Sequence, residues 1–172
     1  MDQEIKINYK NELENLLKAS KFILINSKMS KYKIFILTIV FLVSYFSNSN
    51  LGEIQETYTF LNIVPYVFLI LMWFFIYYVT ISKTRDRILS NSKNFENITL
   101  ILNNDSYTQE GQTFKVQTFW KDILKLKETK DYYLIFQNEY SALPIFKKDL
   151  SEKQNNDLKD LFNSLNIKKS LL

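Results

Sequence analysis

The stretch PYVFLILMWFFIYYVTISKTRDR, from Pro65 to Arg87, carries no charge until Lys83 and then places Lys83, Arg85, Asp86 and Arg87 within five positions. Such a run either crosses a membrane or fills a core, and its length decides between them. Extended back to Tyr58, the uncharged segment from Tyr58 to Ile81 has 24 residues. At about 1.5 Å per residue, this covers a hydrocarbon layer of about 30 Å with room for tilt. A core helix of that length would show a polar face, and none is present. The sequence therefore predicts a transmembrane helix over about 58–81. Pro65 falls in its first turns, where neighbouring groups in a membrane can satisfy the freed carbonyl.

A second apolar run, Ile34 to Phe46 (IFILTIVFLVSYF), is shorter. Snorkelling by Lys31 and Lys33 and the uncharged Ser47 to Asn50 extend it to a span of about 32–49. Charge orients the pair. Lys18, Lys21, Lys28, Lys31 and Lys33 precede the first span, and Lys83, Arg85, Arg87 and Lys93 follow the second. The connection from Ser47 to Thr57 has no Lys or Arg and carries Glu53 and Glu56. The positive-inside rule puts both termini in the cytoplasm, with Lys31, Lys33, Lys83, Arg85 and Arg87 setting the topology. No acidic or basic residue falls within 34–46 or 58–81. That argues against a proton relay or ion path and for a hairpin that anchors.

Composition narrows the chemistry. The 172 residues contain no Cys and no His, so disulfides, thiolate nucleophiles, imidazole bases, Cys/His zinc sites and haem ligands are excluded. The net charge of +4 does not call for nucleic acid. Two Gly and two Pro leave no flexible or proline-rich linker. Positive charge that is nearly all Lys, with abundant Ile and Asn, reads as the codon usage of an AT-rich bacterial genome.

Four parts follow: residues 1–31, a cytoplasmic short strand and amphipathic helix; 32–82, the hairpin; 83–96, a juxtamembrane helical extension; and 97–172, a cytoplasmic domain. In the first part Ile5 to Tyr9 alternates like a strand, and Leu13, Leu16, Leu17, Ser20 and Leu24 share a helical face. In the last, NITLILN, SYTQE, a strand through Phe114, Val116, Thr118 and Trp120, ILKLKET, YYLIFQN and SALPIF read as short strands. Asn103 to Ser106, Gly111 and Lys130 with Asp131 mark the turns. Ser151 and Gln154 form an S-x-x-Q capping box before a helix with the apolar stripe Leu158, Leu161, Phe162 and Leu165. Six antiparallel strands and a closing helix are the order of a pleckstrin-homology-like barrel. The expected fold class is thus an α+β membrane protein, a two-helix transmembrane hairpin joined to such a barrel with a C-terminal helix closing it.

The segment FWKDILKLKETKDYYLIFQNEYSALPIFKKDLSEKQ, Phe119 to Gln154, resembles the C-terminal domain of YcxB-like proteins, a family of bacterial membrane proteins. The shared features are a Trp before a strand with Ile and Lys, a strand ending before a Pro and basic residues, and a capped helix. In this sequence Lys147 and Lys148 follow Pro144 by three and four positions. The resemblance extends in layout over the whole chain, and the family brings no established activity that could be carried over.

Trp120 reads as core, sharing an inward phase with Phe114, Val116, Leu124 and Leu126. Asp122, Glu128, Asp131 and Glu139 read as turn and solvent-facing carboxylates rather than an acid/base pair. Ser141 lacks a nucleophile-elbow context, and there is no P-loop. Lys115, Lys121, Lys125, Lys127 and Lys130 form the one cluster with functional colour, a possible face for anionic lipid headgroups or a protein partner. No cofactor, metal or catalytic residue is expected. The expectation is a non-enzymatic protein of the bacterial cytoplasmic membrane whose hairpin anchors a binding domain for a protein or anionic lipid. The alternative is a membrane-resident immunity protein against a toxin that attacks the envelope.

Overall fold

The structure is a computed structural model that describes residues 4–27, 32, 36, 38–40, 43 and 57–171. The expected first span, about 32–49, lies mostly outside the described residues, as do Lys31, Lys33 and the acidic connection that follows. What is described is an α+β structure with largely antiparallel sheets and one long apolar helix.

Strand β1 (Ile5–Lys10) alternates buried and exposed side chains and pairs antiparallel with β2 (Asn97–Leu102), Ile5 opposite Leu102 and Lys10 opposite Asn97. Strands β3 (Ser106–Glu110) and β4 (Lys115–Phe119) complete a four-stranded sheet in the order β1-β2-β3-β4. The turn into β3 is built by Asn103, whose Oδ1 accepts from the backbone N–H of Asp105 and Ser106. Between β3 and β4, Gly111 has no room for a side chain. A Cβ there would strike the Phe114 ring and the Glu96 carboxylate.

The second sheet runs β7-β6-β5-β8, from β5 (Lys125–Glu128), β6 (Tyr132–Phe136), β7 (Ala142–Phe146) and the short β8 (Lys169–Ser170). Strand β8, not foreseen from the sequence, lies parallel to β5. All five residues of β6 are buried because both faces of this sheet are covered. Tyr133 and Ile135 meet the first sheet, while Tyr132, Leu134 and Phe136 meet helix α1 (Leu13–Asn26). The two sheets face each other around a common core but are not joined by strand pairing into a closed barrel.

Helix α3 (Glu152–Ser164) starts at the anticipated capping box: Ser151 Oγ accepts from Gln154 N, and Gln154 Oε1 accepts from Ser151 N. Its Leu158, Leu161 and Phe162 enter the core. Its C-terminal carbonyls, which have no intrahelical partner, are met by Lys169, whose Nζ donates to the carbonyls of Phe162, Asn163 and Leu165.

The buried centre of α1 is Ala19 and Ile23, with Leu13, Leu16, Leu17, Ser20 and Leu24 half-buried around it. The stripe is rotated from the expected one because Phe22 and Ile23 dock on Tyr132 and Phe146 of the second sheet. Helix α2 (Thr57–Ser90) contacts α1. It ends at Ser90, before a 3-10 turn over Ser92–Phe95, rather than continuing to Phe95. Its segment Val67–Ser90 is long and apolar enough to cross a membrane, and none of the most apolar stretch is buried.

Candidate functional site

Trp120 is 4 % exposed, and its Nε1 donates to the Asn103 carbonyl at 2.7 Å. Its ring contacts Tyr107 and Phe162, and Phe162 in turn meets Tyr133 edge-on. This aromatic row crosses the core from the first sheet through α3 to the second. The inward phase expected for its neighbours holds only in part. Val116 is 47 % and Leu124 42 % exposed, while Ile123 and Leu126 are buried. Two causes account for this. Strand β4 is the edge of its sheet, and the 3-10 turn Trp120–Asp122 resets the alternation before β5.

The five clustered lysines lie on different parts of the fold. Lys115 is on β4, 3.4 Å from Glu110. Lys121 is in the turn after it, with its Nζ 5.4 Å from the Phe119 ring. Lys125 and Lys127 point the same way from β5, toward the α1 side, where Lys125 lies over Phe136 and Lys127 over Phe22. Lys130 is exposed in the hairpin before β6. Lys83, Arg85 and Arg87 are exposed on α2.

One carboxylate lies elsewhere than its reading as a solvent-facing group implied. Glu128 is 4 % exposed, because in the Lys125–Glu128 alternation it shares the inward phase of Leu126. Lys147 Nζ donates to its Oε1 at 2.6 Å, and Lys159 Nζ lies 3.4 Å from the same atom. Lys147 also sits over the Tyr133 ring, and the Tyr133 hydroxyl donates to Asn155 Oδ1 at 2.7 Å. Two ammonium groups offset the desolvation of one carboxylate, so this polar knot joins β5, the end of β7 and α3. The other candidate carboxylates are surface groups. Asp131 accepts from Lys18, Glu139 lies 3.9 Å from Lys125, and Asp122 is exposed. Among the described residues, no group of three or more acidic residues could hold a metal ion.

Tyr133 is pushed up to about 12, first by burial and then by the Glu128 carboxylate, and Tyr9 is pushed up to about 12 chiefly by burial. Raised folded-state values stabilise the protein fully below the ordinary tyrosine range of about 10. That contribution is lost as pH rises through 12. Hydrogen exchange of β2 and β6 should therefore lose protection in the window from about 10 to 12, and Tyr133→Phe should blunt the loss. The Lys18 ammonium holds Asp131 below the carboxylate range, and Lys148 does the same for Glu12, so both pairs loosen on acidification.

Residues 102–162 match the family model described as YcxB-like protein. No curated protein and no solved structure matches the chain. The matched segment runs from the last residue of β2 into α3 and contains the Phe119 to Gln154 stretch, the aromatic row and the Glu128 knot. Over residues 102–162 the chain is thus similar to YcxB-like proteins, as the Phe119 to Gln154 stretch led one to expect.

Proposed function

We propose that this is a non-enzymatic protein of the bacterial cytoplasmic membrane, in which a two-helix hairpin anchors a cytoplasmic pleckstrin-homology-like domain that binds a protein or an anionic lipid surface. The carrying observation is the pairing of β1 with β2. Lys10 and Asn97 are neighbours in one sheet, so both ends of the intervening segment must lie on the same side of any membrane it enters. Its number of crossings is therefore even. Helix α2 is apolar and unburied over a membrane-spanning length, and a crossing by α2 then calls for a second one. The run from Ile34 to Phe46 is the candidate. Lys83, Arg85 and Arg87 at the domain end of α2 favour a cytoplasmic domain. Four strands, a corner, three strands and a helix support the pleckstrin-homology-like reading, with the hairpin inserted between the first two strands.

A reporter fused after Leu172 is expected to be active only in the cytoplasm, and one inserted at Asn50 only outside. Activity of the Leu172 fusion outside the membrane would overturn the topology. Against anionic vesicles, the chain with Lys121, Lys125 and Lys127 replaced by Gln should bind less and with weaker salt dependence. Vesicles that the unaltered domain ignores would leave a protein as the partner.

A further inference from the structure

The two sheets leave a seam at the corner Trp120–Leu124, with β4, whose outer edge is unpaired among the described residues, on one side and β8 on the other. Resting on the binding-domain reading above, we propose that this seam takes an extended segment of a partner protein, one that pairs its backbone with β4 and sets an apolar and an acidic side chain into the adjoining cleft.

The edges of the sheets differ in how they are protected. Strand β1 has Gln154 of α3 donating to its Lys6 carbonyl at 2.7 Å. Strand β7 contains Pro144, which has no N–H to offer, and β8 is only two residues long. Strand β4 has five residues, no proline, and apolar side chains exposed on both faces, Val116 at 47 % and Phe119 at 45 %. Its hydrogen-bond phase follows from two contacts, Gly111 N to Phe114 O and Trp120 N to Asp105 O. Alternation between them turns the backbone groups of Val116 and Thr118 toward β3 and those of Lys115, Gln117 and Phe119 outward. An edge of this kind is a template for strand addition.

The cleft begins at Trp120, the residue that follows the last of β4. It has a volume of about 380 Å³, with Trp120, Leu124 and Ile167 among its apolar lining and Lys121 and Lys168 at its rim. None of its described lining residues is acidic. The occupant that complements it carries a carboxylate beside an apolar side chain. Pairing is antiparallel, as throughout this sheet, so residues of the partner N-terminal to the paired stretch lie over the cleft. The recognised pattern is therefore an apolar and acidic pair followed by about four residues of extended chain.

The test uses the full chain in lipid nanodiscs and a random-peptide display library. Enriched peptides should share that pattern and bind as synthetic peptides. The informative variant is Phe119→Pro. The backbone at Phe119 has φ −81° and ψ 145°, which proline accepts, and the change removes an outward N–H without touching the β3 ladder. It should weaken the selected peptides roughly tenfold, the loss of about one well-made hydrogen bond and its contact, while Phe119→Ala, which keeps the N–H, should weaken them about threefold. Replacing Lys121 and Lys168 by Gln should reduce binding of the acidic peptides and leave their amide counterparts unchanged. A library that yields no such peptides, or peptides indifferent to Phe119→Pro or to the two lysines, overturns the seam proposal. Peptides that bind strongly but elsewhere would do so while leaving the binding-domain reading standing, and the vesicle experiment judges that reading separately.

Discussion

Trp120→Ala should destabilise the folded domain by about 3 to 5 kcal/mol, the cost of truncating a large aromatic in a core. The indole is the middle of the row Tyr107, Trp120, Phe162 and Tyr133, and its N–H satisfies the Asn103 carbonyl at the turn that starts β3. The substitution opens a cavity between the first sheet and α3 and leaves that carbonyl short of a donor. Hydrogen exchange of the full chain in detergent reads the effect, because protection in β2, β3 and α3 should fall together. The fragment from Asn91 to Leu172 would be the wrong vehicle, since it lacks β1 and α1, which cover β2 and the second sheet. Unchanged protection would mean that Trp120 does not carry the core contact described.

Removing both ammonium groups around Glu128, by Lys147→Met with Lys159→Met, has a comparable expected cost, up to roughly 3–5 kcal/mol. The carboxylate is buried, whereas the two lysines reach the surface with their stems, so the penalty falls on the group left behind. Adding Glu128→Leu to the same chain should recover most of the loss, because an apolar side chain needs no partner there. Thermal denaturation of the three chains distinguishes this from a simple packing defect. If the Leu variant were no more stable than the double Met variant, the knot would not be the cause.

These two sites show what local pattern carries and what it does not. The capping box of α3, the Asn103 turn and strands β2 to β7 rest on spacing and turn chemistry within a few residues, and such signals can be read directly. The inward direction of Glu128 is also present in the Lys125 to Glu128 alternation, where phase prevails over charge. Its partners Lys147 and Lys159 come from later elements, and no spacing rule connects them to it. Leu124 departs from the inward phase because the turn Trp120–Asp122 breaks the alternation, and Val116 because β4 is an edge strand whose outer neighbour no local pattern reveals. The rotated stripe of α1 and strand β8 depend on contacts with a sheet far away in sequence.

The pairing of β1 with β2 also dictates an order of events during synthesis. Residues 5–10 leave the ribosome well before their partners, which are made only after the whole of 11–96. On the topology proposed above, Ile5, Ile7 and Tyr9 would wait as an unpaired apolar strand until that segment had been translated and threaded to bring residue 97 back to the same compartment. In that topology a nascent chain whose helices inserted wrongly would be unable to complete its first sheet, because strand and partner would lie on opposite sides of the bilayer. Completion of the two-sheet core would then act as a checkpoint on insertion, and a misthreaded chain would expose to the cell's proteases the side chains that a correctly threaded one hides.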